Sequence, residues 1–190
     1  MRAARRALTP LLVALLAANA GAPRDYALDS VASEVKAKVS FMGLGSKSMT
    51  FPKMKGQVRI VPDAPKQASI DVTFDAAALE ASDASTRDRL RGDKFFWVAK
   101  HPTVRFTGTS LAMTSPTRGT VAGKLTARGV TKRQTLEVVF EEDPDKAAAN
   151  APIRFTATTR IDRRDYGMTS YQLVVGNNVD VTMKARMVPR

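Results

Sequence analysis

A strict alternation of apolar and polar residues runs through most of this chain and restricts what it can fold into. In Glu34–Phe41 every second residue is apolar, and the residues between them are charged or polar. The same alternation returns in the segments 69–74, 103–106, 120–125, 136–140, 153–161 and 179–187. Neighbouring side chains of a strand point to opposite faces, so each segment is predicted to be an antiparallel strand with one buried and one solvated face.

Turn residues separate these segments, mainly glycine, proline and asparagine. About eight to ten strands in this arrangement favour a sandwich or a barrel. One short helix is predicted over 85–91, with Ser85 as its N-terminal cap and Gly92 at its end. A barrel of about eight strands encloses either side chains or one small ligand. The inward residues are almost all apolar, so a hollow barrel of this sequence would hold an apolar molecule.

The first 22 residues are predicted to be a secretory signal peptide and not part of the fold. Arg2, Arg5 and Arg6 precede an apolar stretch at 8–18, and small residues that suit a cleavage site follow it. The apolar stretch is shorter than the roughly 20 residues that a membrane-spanning helix needs. We therefore expect a signal peptide over 1–22, a single domain over 23–190, and a periplasmic protein.

The composition limits which classes of binding partner and which kinds of reactive site the protein can have. The chain has no cysteine, which excludes disulfides, thiolate metal sites and cysteine nucleophiles. Its formal charge is +12, and removing the three signal-peptide arginines leaves +9. In an exported protein this charge favours anionic envelope components over nucleic acid. Peripheral contact with an anionic membrane and a homodimer both stay open as interactions.

Catalytic residues are scarce. His101 is the only histidine, and Pro102 beside it favours an extended backbone at the start of a strand. No nucleophile elbow, metal-binding spacing or phosphate-binding loop is present in the sequence. Asp83, Asp88 and Asp93 alternate with arginines, which is typical of a solvated, salt-bridged face. We expect no catalytic residue, metal or cofactor, and hence a protein that is not an enzyme.

Several longer segments together resemble the YceI-like family of periplasmic lipid-binding proteins. The most specific are "RDRLRGDKFFWVAKHPTVRF" and the later "LTARGVTK", and the resemblance covers nearly all of residues 25–187. It implies a lipocalin-like antiparallel β-barrel with a long apolar tunnel. It also implies a polyisoprenoid or fatty-acid-derived ligand, such as a fatty amide. Where relatives often have histidines, this chain has Ala32, Arg89 with Leu90, and Arg128.

The candidate ligand contacts are aromatic rings and one thioether, and they can equally be ordinary core. They are Phe41, Phe51, Phe74, Phe95, Phe96, Trp97, Phe106, Phe140, Phe155 and Met183. The adjacent rings of Phe95, Phe96 and Trp97 are expected to close one end of the barrel, as a lid or as a plug. Arg87, Arg89 and Arg128 are candidates for a polar head group, because a guanidinium can bind a phosphate through two hydrogen bonds.

Two functions follow as hypotheses. In the first, the protein binds, sequesters or transports a long-chain apolar or amphiphilic lipid in the barrel, without catalysis. In the second, the barrel is filled by its own side chains and serves as an envelope stress-response or protein-interaction module. A cavity inside the folded barrel discriminates between them.

Overall fold

The computed structural model describes residues 22–61, 68–148 and 151–190 of the 190-residue chain. Apart from Ala22, the predicted signal peptide lies outside these residues and stays a prediction. Within these residues, one α-helix, α1 (Ala84–Arg91), and two 3₁₀ turns, Ala76–Ala78 and Arg163–Tyr166, accompany the strands. The eleven described strands are β1 (Arg24–Leu28), β2 (Glu34–Phe41), β3 (Gly45–Phe51), β4 (Met54–Ile60), β5 (Ser69–Asp75), β6 (Glu80–Ala81), β7 (Thr103–Ser115), β8 (Arg118–Ala127), β9 (Val130–Phe140), β10 (Ile153–Asp162) and β11 (Val175–Pro189).

Eight of the strands form a closed ring. The order around the wall is β1, β4, β5, β7, β8, β9, β10 and β11, and β11 pairs again with β1. The closing pair sets Tyr26 opposite Pro189 and Leu28 opposite Met187. Every pair in the ring is antiparallel. The predicted antiparallel barrel of about eight strands with one short helix is therefore confirmed.

Strand β11 is long enough to pair with two strands in succession. Its C-terminal end pairs with β1, and its N-terminal half pairs with β2. Between β1 and β2 the chain bends at Asp29, whose Oδ1 accepts hydrogen bonds from the backbone N–H groups of Val31 and Ala32, both at 3.1 Å. Arg186 Nη1 of β11 donates to Asp29 Oδ2 at 2.7 Å. The β2–β3 hairpin thus extends the wall at the end of the barrel where β11 begins.

The alternation seen in the sequence determines which side chains are buried. In β2, Val35 and Ala37 are buried, whereas Lys36 and Lys38 between them are exposed. The inward apolar residues of the ring meet in one core, which also includes Phe95 and neighbouring residues between α1 and β7. Burying one large apolar side chain contributes about 1.5–3 kcal/mol, so this shared core is the main source of stability.

Helix α1 lies close to its predicted position but has a different cap. It begins one residue before the predicted range of 85–91, and Asp83 is its N-cap. The Oδ1 atom of Asp83 accepts a hydrogen bond from the backbone N–H of Thr86 at 2.7 Å. The prediction of Ser85 as cap is wrong because Asp83 already has the extended backbone that a cap requires. Gly92 ends the helix as predicted.

Two tyrosine hydroxyls are buried and have no hydrogen-bond partner within the described residues. Tyr26 lies on β1 and Tyr166 in the second 3₁₀ turn, and each side chain is almost fully buried. A buried polar group without a partner lowers stability, because it has lost its hydrogen bonds to water. We expect Tyr26→Phe and Tyr166→Phe to raise the free energy of unfolding by up to about 1 kcal/mol in urea titrations.

The exposed Tyr171→Phe is the matched control and should leave stability unchanged. Burial raises the pKa of the Tyr166 phenol to about 12. Between pH 10 and about 12 the phenol ionises in the unfolded chain but not in the folded one, so stability falls as the pH rises. Tyr166→Phe should reduce this alkaline loss; an unchanged pH profile and a destabilised protein would contradict the assignment.

Candidate functional site

The interior of the barrel contains an apolar cavity of about 160 Å³, which we call the inner cavity. Its walls come from inward residues around the whole ring, and its surface is apolar. An apolar cavity of about 150 Å³ in a protein stays dry and can take up a benzene molecule. The inner cavity is therefore large enough for a short stretch of hydrocarbon, even before any side chain moves.

A second cavity of about 370 Å³, the mouth cavity, lies between α1, β3 and the loop at 167–174. Several of its lining residues are exposed, among them Asp83, Ser85 and Arg89, so it opens to solvent. Its inner part is apolar, with Val39 and Phe41 of β2 among its walls. This cavity is polar at the surface and apolar in depth, which suits an amphiphilic molecule.

The two cavities adjoin, because five residues line both. These shared residues form the partition between the cavities: Met49, Phe96, Arg163, Met168 and Val179. Methionine is flexible and polarisable, and it adapts readily to a neighbouring molecule. A partition that contains two methionines can yield to a chain that extends from the mouth cavity into the inner cavity.

The structure places nine of the ten predicted contact residues against these cavities. Those that line only the inner cavity are Phe51, Phe74, Phe106, Phe140, Phe155 and Met183. Phe41 and Phe95 line the mouth cavity, and Phe96 lines both. Their contact with a ligand stays a prediction, but their position gives each of them access to a bound molecule.

Trp97 is the predicted contact residue that lines neither cavity. Its backbone is left-handed, with φ of 49°, and its side chain is 37 % exposed. The ring packs edge-on against His101, with 5.8 Å between ring centroids, and the Lys100 ammonium lies 4.7 Å from its centre. His101 in turn lies against Gly129 of the turn between β8 and β9. Trp97 and His101 thus pack together on the outer surface of the barrel end, against the turn between β8 and β9.

Phe95 and Tyr171 form an aromatic stack across the mouth. Their rings are nearly parallel, at 7°, with centroids 6.0 Å apart. Phe95 follows α1, whereas Tyr171 lies in the loop before β11, so the stack joins the two sides of the mouth cavity. Phe96 packs edge-on against Phe51 deeper in the barrel, at 5.7 Å. Of the three adjacent rings, two face the cavities and one faces outward.

Arg163 is a buried guanidinium that borders both cavities, with only 3 % of its surface exposed. It donates hydrogen bonds to the backbone carbonyls of Gly176, Ser170 and Val175 at 2.8–2.9 Å, and also to that of Met168. Burial lowers the pKa of Arg163, yet a guanidinium stays charged in proteins. Arg163 therefore fixes the loop at 167–174 and brings a positive charge to the partition.

A second set of charges lies at the outer edge of the mouth cavity. Lys47 Nζ lies 3.3 Å from Asp83 Oδ2, and Asp83 also binds the N–H and the hydroxyl of Thr86. These hydrogen bonds, led by the one from the Thr86 N–H, lower the pKa of Asp83, so it is ionised at neutral pH. Arg89 lines the same cavity and, among the described residues, forms no ion pair.

Arg89 is the one predicted head-group residue that the structure brings to a cavity. Arg87 points elsewhere, with its Nε atom 3.0 Å from Asp88 Oδ1. Arg128 lies in the two-residue turn between β8 and β9, and its guanidinium donates to the backbone carbonyls of Gly167 and Asp93. Both are engaged in structural contacts, and a head-group role for either stays a prediction.

The sequence analysis missed Arg163, the polar residues on β9 and β10, and Tyr171. Gln134 and Thr159 line the inner cavity and satisfy each other, with Gln134 Nε2 donating to Thr159 Oγ1 at 2.5 Å. The alternation in β10 that buries Ile153 and Ala157 continues through Thr159 to Arg163. The sequence therefore already indicated that the side chain of Arg163 would lie on the buried face. Tyr171 had no such signal, since it lies in an irregular loop.

Among the described residues, no three histidine, cysteine, aspartate or glutamate side chains cluster closely enough to hold a metal ion. The helices in the same part of the chain are all too short or too polar to span a bilayer.

Comparison with known protein families matches residues 26–187 to the YceI-like domain. A UPF0312 protein of Pseudomonas savastanoi pv. phaseolicola is 26% identical over 157 residues, which cover 82% of each chain. Protein YceI of Salmonella arizonae is 26% identical over 148 residues, which cover 77% of each chain. The similarity therefore extends over nearly the whole barrel.

Solved structures share the fold at lower identity. Burkholderia cenocepacia BcnA superposes with a TM-score of 0.74 at 22% identity, covering 84% of this chain and 98% of that one. A polyisoprenoid binding domain from Saccharophagus degradans, implicated in plant cell wall breakdown, superposes with a TM-score of 0.63 at 17% identity. It covers 87% of this chain and 98% of that domain. The barrel is thus an established architecture at this length.

Proposed function

The chain belongs to the YceI-like family, and from this premise we propose that it binds a long-chain amphiphilic lipid inside its barrel. The apolar chain would occupy the inner cavity and the depth of the mouth cavity, with the polar end at the outer edge of the mouth, beside Arg89. The observation that carries the proposal is the junction of an apolar inner cavity with a mouth cavity that has a cationic edge. The protein would hold or carry the lipid without transforming it.

The volumes fit a chain of useful length. If about 150 Å³ holds the six carbons of benzene, the inner cavity takes roughly six carbons and the mouth cavity roughly a dozen more. Each buried methylene contributes about 0.8 kcal/mol, so even half of that chain would bind with useful affinity. A polyisoprenoid and a fatty-acid derivative both satisfy this requirement, and the binding domain from Saccharophagus degradans supports the first of them.

The charges favour a ligand whose polar end is anionic or rich in acceptor atoms. Arg163 and Arg89 line the mouth cavity, and within the described residues neither forms an ion pair with a carboxylate. Of the described residues, Asp83 is the one carboxylate that lines it, and this group is already bound by Lys47 and the first turn of α1. A phosphate or carboxylate head would pair with Arg89, whereas Arg163 already donates to four backbone carbonyls and contributes only its charge.

The residues at the site support binding rather than catalysis. General acid–base chemistry needs a titratable group within hydrogen-bond reach of the substrate. The lone histidine, His101, packs against Trp97 outside both cavities, and the titratable groups Asp83 and Lys47 at the mouth are paired with each other. The basic and apolar segment at 1–22 supports export to the periplasm, where a water-filled space separates two membranes and a lipid needs a carrier.

The test is organic extraction of the protein from a periplasmic fraction, followed by mass spectrometry of both lipid and protein. We expect a stoichiometric long-chain lipid and a protein mass that lacks the first 22 residues. Purified protein should then bind palmitate at least about tenfold more tightly than hexadecanol, because one ion pair in a partly buried site is worth about that factor. Absence of extracted lipid, together with no uptake of either compound, would favour the filled-barrel interaction module instead.

A further inference from the structure

Four large apolar side chains protrude into solvent from two loops at the mouth of the barrel. Met42 and Leu44, in the turn between β2 and β3, are 61 % and 96 % exposed. Tyr171 and Leu173, in the loop before β11, are 49 % and fully exposed. We call these four residues the apolar rim. Scattered exposed apolar residues are ordinary, but a contiguous group of them marks an interaction surface.

The two loops are held together, so the rim is one surface. The backbone N–H of Met42 donates to the carbonyl of Val174 at 2.7 Å, and Phe41 pairs with Val175 across β2 and β11. Val174 and Val175 in turn donate to the carbonyl of Tyr171 at 3.1 and 2.8 Å. The loops therefore present their side chains from a shared, hydrogen-bonded base.

The backbone under the rim is unusual for such residues. Met42 and Gly43 have φ values of 54° and 70°, as the two central residues of a type I′ turn require, and Tyr171 has φ of 58°. Asparagine and glycine are the residues that usually occupy such positions. Met42 strains the backbone and leaves most of its surface exposed, so folding alone does not account for it; Tyr171 is strained as well, but half of its surface is buried in the stack on Phe95.

The rim is continuous with the mouth cavity. Phe41, Val174 and Tyr171 belong to the two rim loops or their bases, and all three also line the cavity. A surface on which the rim rests would therefore lie directly at the opening. A lipid that moves between this surface and the barrel would pass along apolar side chains and avoid exposure to water.

The charge around the rim determines which surface fits. Lys47 and Arg89 both line the mouth; Lys47 is paired with Asp83, whereas Arg89 forms no ion pair among the described residues. The chain as a whole has 30 basic and 18 acidic residues. Basic groups next to a bilayer are attracted to anionic lipids, while apolar and aromatic side chains enter the interfacial region.

We propose that the apolar rim inserts into the surface of an anionic lipid bilayer and sets the mouth cavity against it. The occupant is a bilayer and not a protein, because the rim has only four side chains, shares the mouth cavity with the Arg89 guanidinium, and belongs to a chain with a large excess of basic residues. This inference goes beyond ligand binding: the barrel can hold a lipid without docking, and docking can occur without a ligand in the barrel.

The experiment uses the mature protein and vesicles made of phosphatidylcholine alone or of equal parts phosphatidylcholine and phosphatidylglycerol. Co-sedimentation should show binding to the anionic vesicles and much less to the neutral ones, with loss of binding at high salt. The double variant Leu44→Ser with Leu173→Ser should bind the anionic vesicles at least about tenfold more weakly. The matched control is Val31→Ser, which removes a side chain that is 95 % exposed but lies in the bend between β1 and β2.

Each outcome decides the proposal. Equal vesicle binding by the wild type and the double variant, or equal loss in the Val31→Ser control, would overturn it. So would a dimer in light scattering that the double variant abolishes, since a second copy would then cover the rim. Uptake of palmitate from solution is measured in parallel and should be unchanged in the double variant, which separates a failure of docking from a failure of ligand binding.

Discussion

Ala157→Phe is expected to prevent ligand uptake while leaving the barrel folded. Ala157 lies on β10, facing the inner cavity between Val138 of β9 and Met183 of β11. A phenyl ring there fills a space of about the volume that accepts benzene. Fluorescence titration with cis-parinaric acid should show affinity reduced at least about tenfold, since several methylenes worth about 0.8 kcal/mol each lose their place.

The control for this variant is one residue away. Thr158 lies on the outer face of the same strand and is exposed, so Thr158→Phe adds the same ring without entering the cavity. It should bind the probe as the wild type does. Because the added ring of Ala157→Phe has a cavity to enter, its cost should stay within the roughly 1–3 kcal/mol typical of overpacking. Undiminished probe binding by a folded Ala157→Phe would show that the ligand lies elsewhere.

Arg163→Met is expected to cause the largest loss of stability among single substitutions at the site. The guanidinium donates to four backbone carbonyls, and methionine removes all four of these hydrogen bonds. Each buried carbonyl that loses its partner costs about 1–3 kcal/mol, and water that enters from the mouth cavity will satisfy some of them. Urea unfolding should therefore show a loss of about 3–5 kcal/mol.

Arg163→Lys separates the charge from the hydrogen bonds. An ammonium group keeps the positive charge but cannot donate in a planar fork to four carbonyls around it. We expect a smaller loss of stability than in Arg163→Met and a retained preference for palmitate over hexadecanol. Arg164→Met is the matched control, because Arg164 is more exposed and pairs with Asp162. If Arg163→Met were as stable as Arg164→Met, the loop at 167–174 would need another anchor.

Much of the fold is predictable here because the period of the apolar residues matches the pleat of a strand. The alternation in Glu34–Phe41 and in 153–161 identifies the buried faces correctly. The alternation does not predict the order of the strands in the ring. The contact of β1 with β11 depends on the closure of the whole sheet, and no local pattern encodes it. The cap at Asp83 was mispredicted because Ser85 and Asp83 both satisfy the same residue preference.

The site was predictable to the extent that it is built from inward strand residues. Phe106, Phe140 and Phe155 were in phase with the buried face and do line the inner cavity. Phe95, Phe96 and Trp97 lie between α1 and β7, outside the strands, where apolar–polar alternation does not predict which side chains are buried. The backbone of Trp97 is left-handed, and its ring points outward. The stack of Phe95 on Tyr171 joins segments far apart in sequence and needed the three-dimensional structure.

The seam between β1 and β11 also has a consequence for the time course of folding. Asp29 and Arg186, which tie the bend after β1 to β11, are 157 positions apart in the chain. Contacts between such distant residues form late, because the entropy of closing a long loop must be overcome before they contribute any stability. The cavities are enclosed only once this last seam has formed. If the protein is exported and binds a lipid as proposed, a chain still emerging from a translocation channel would have no binding site, and lipid capture would begin only after the final strand had been delivered.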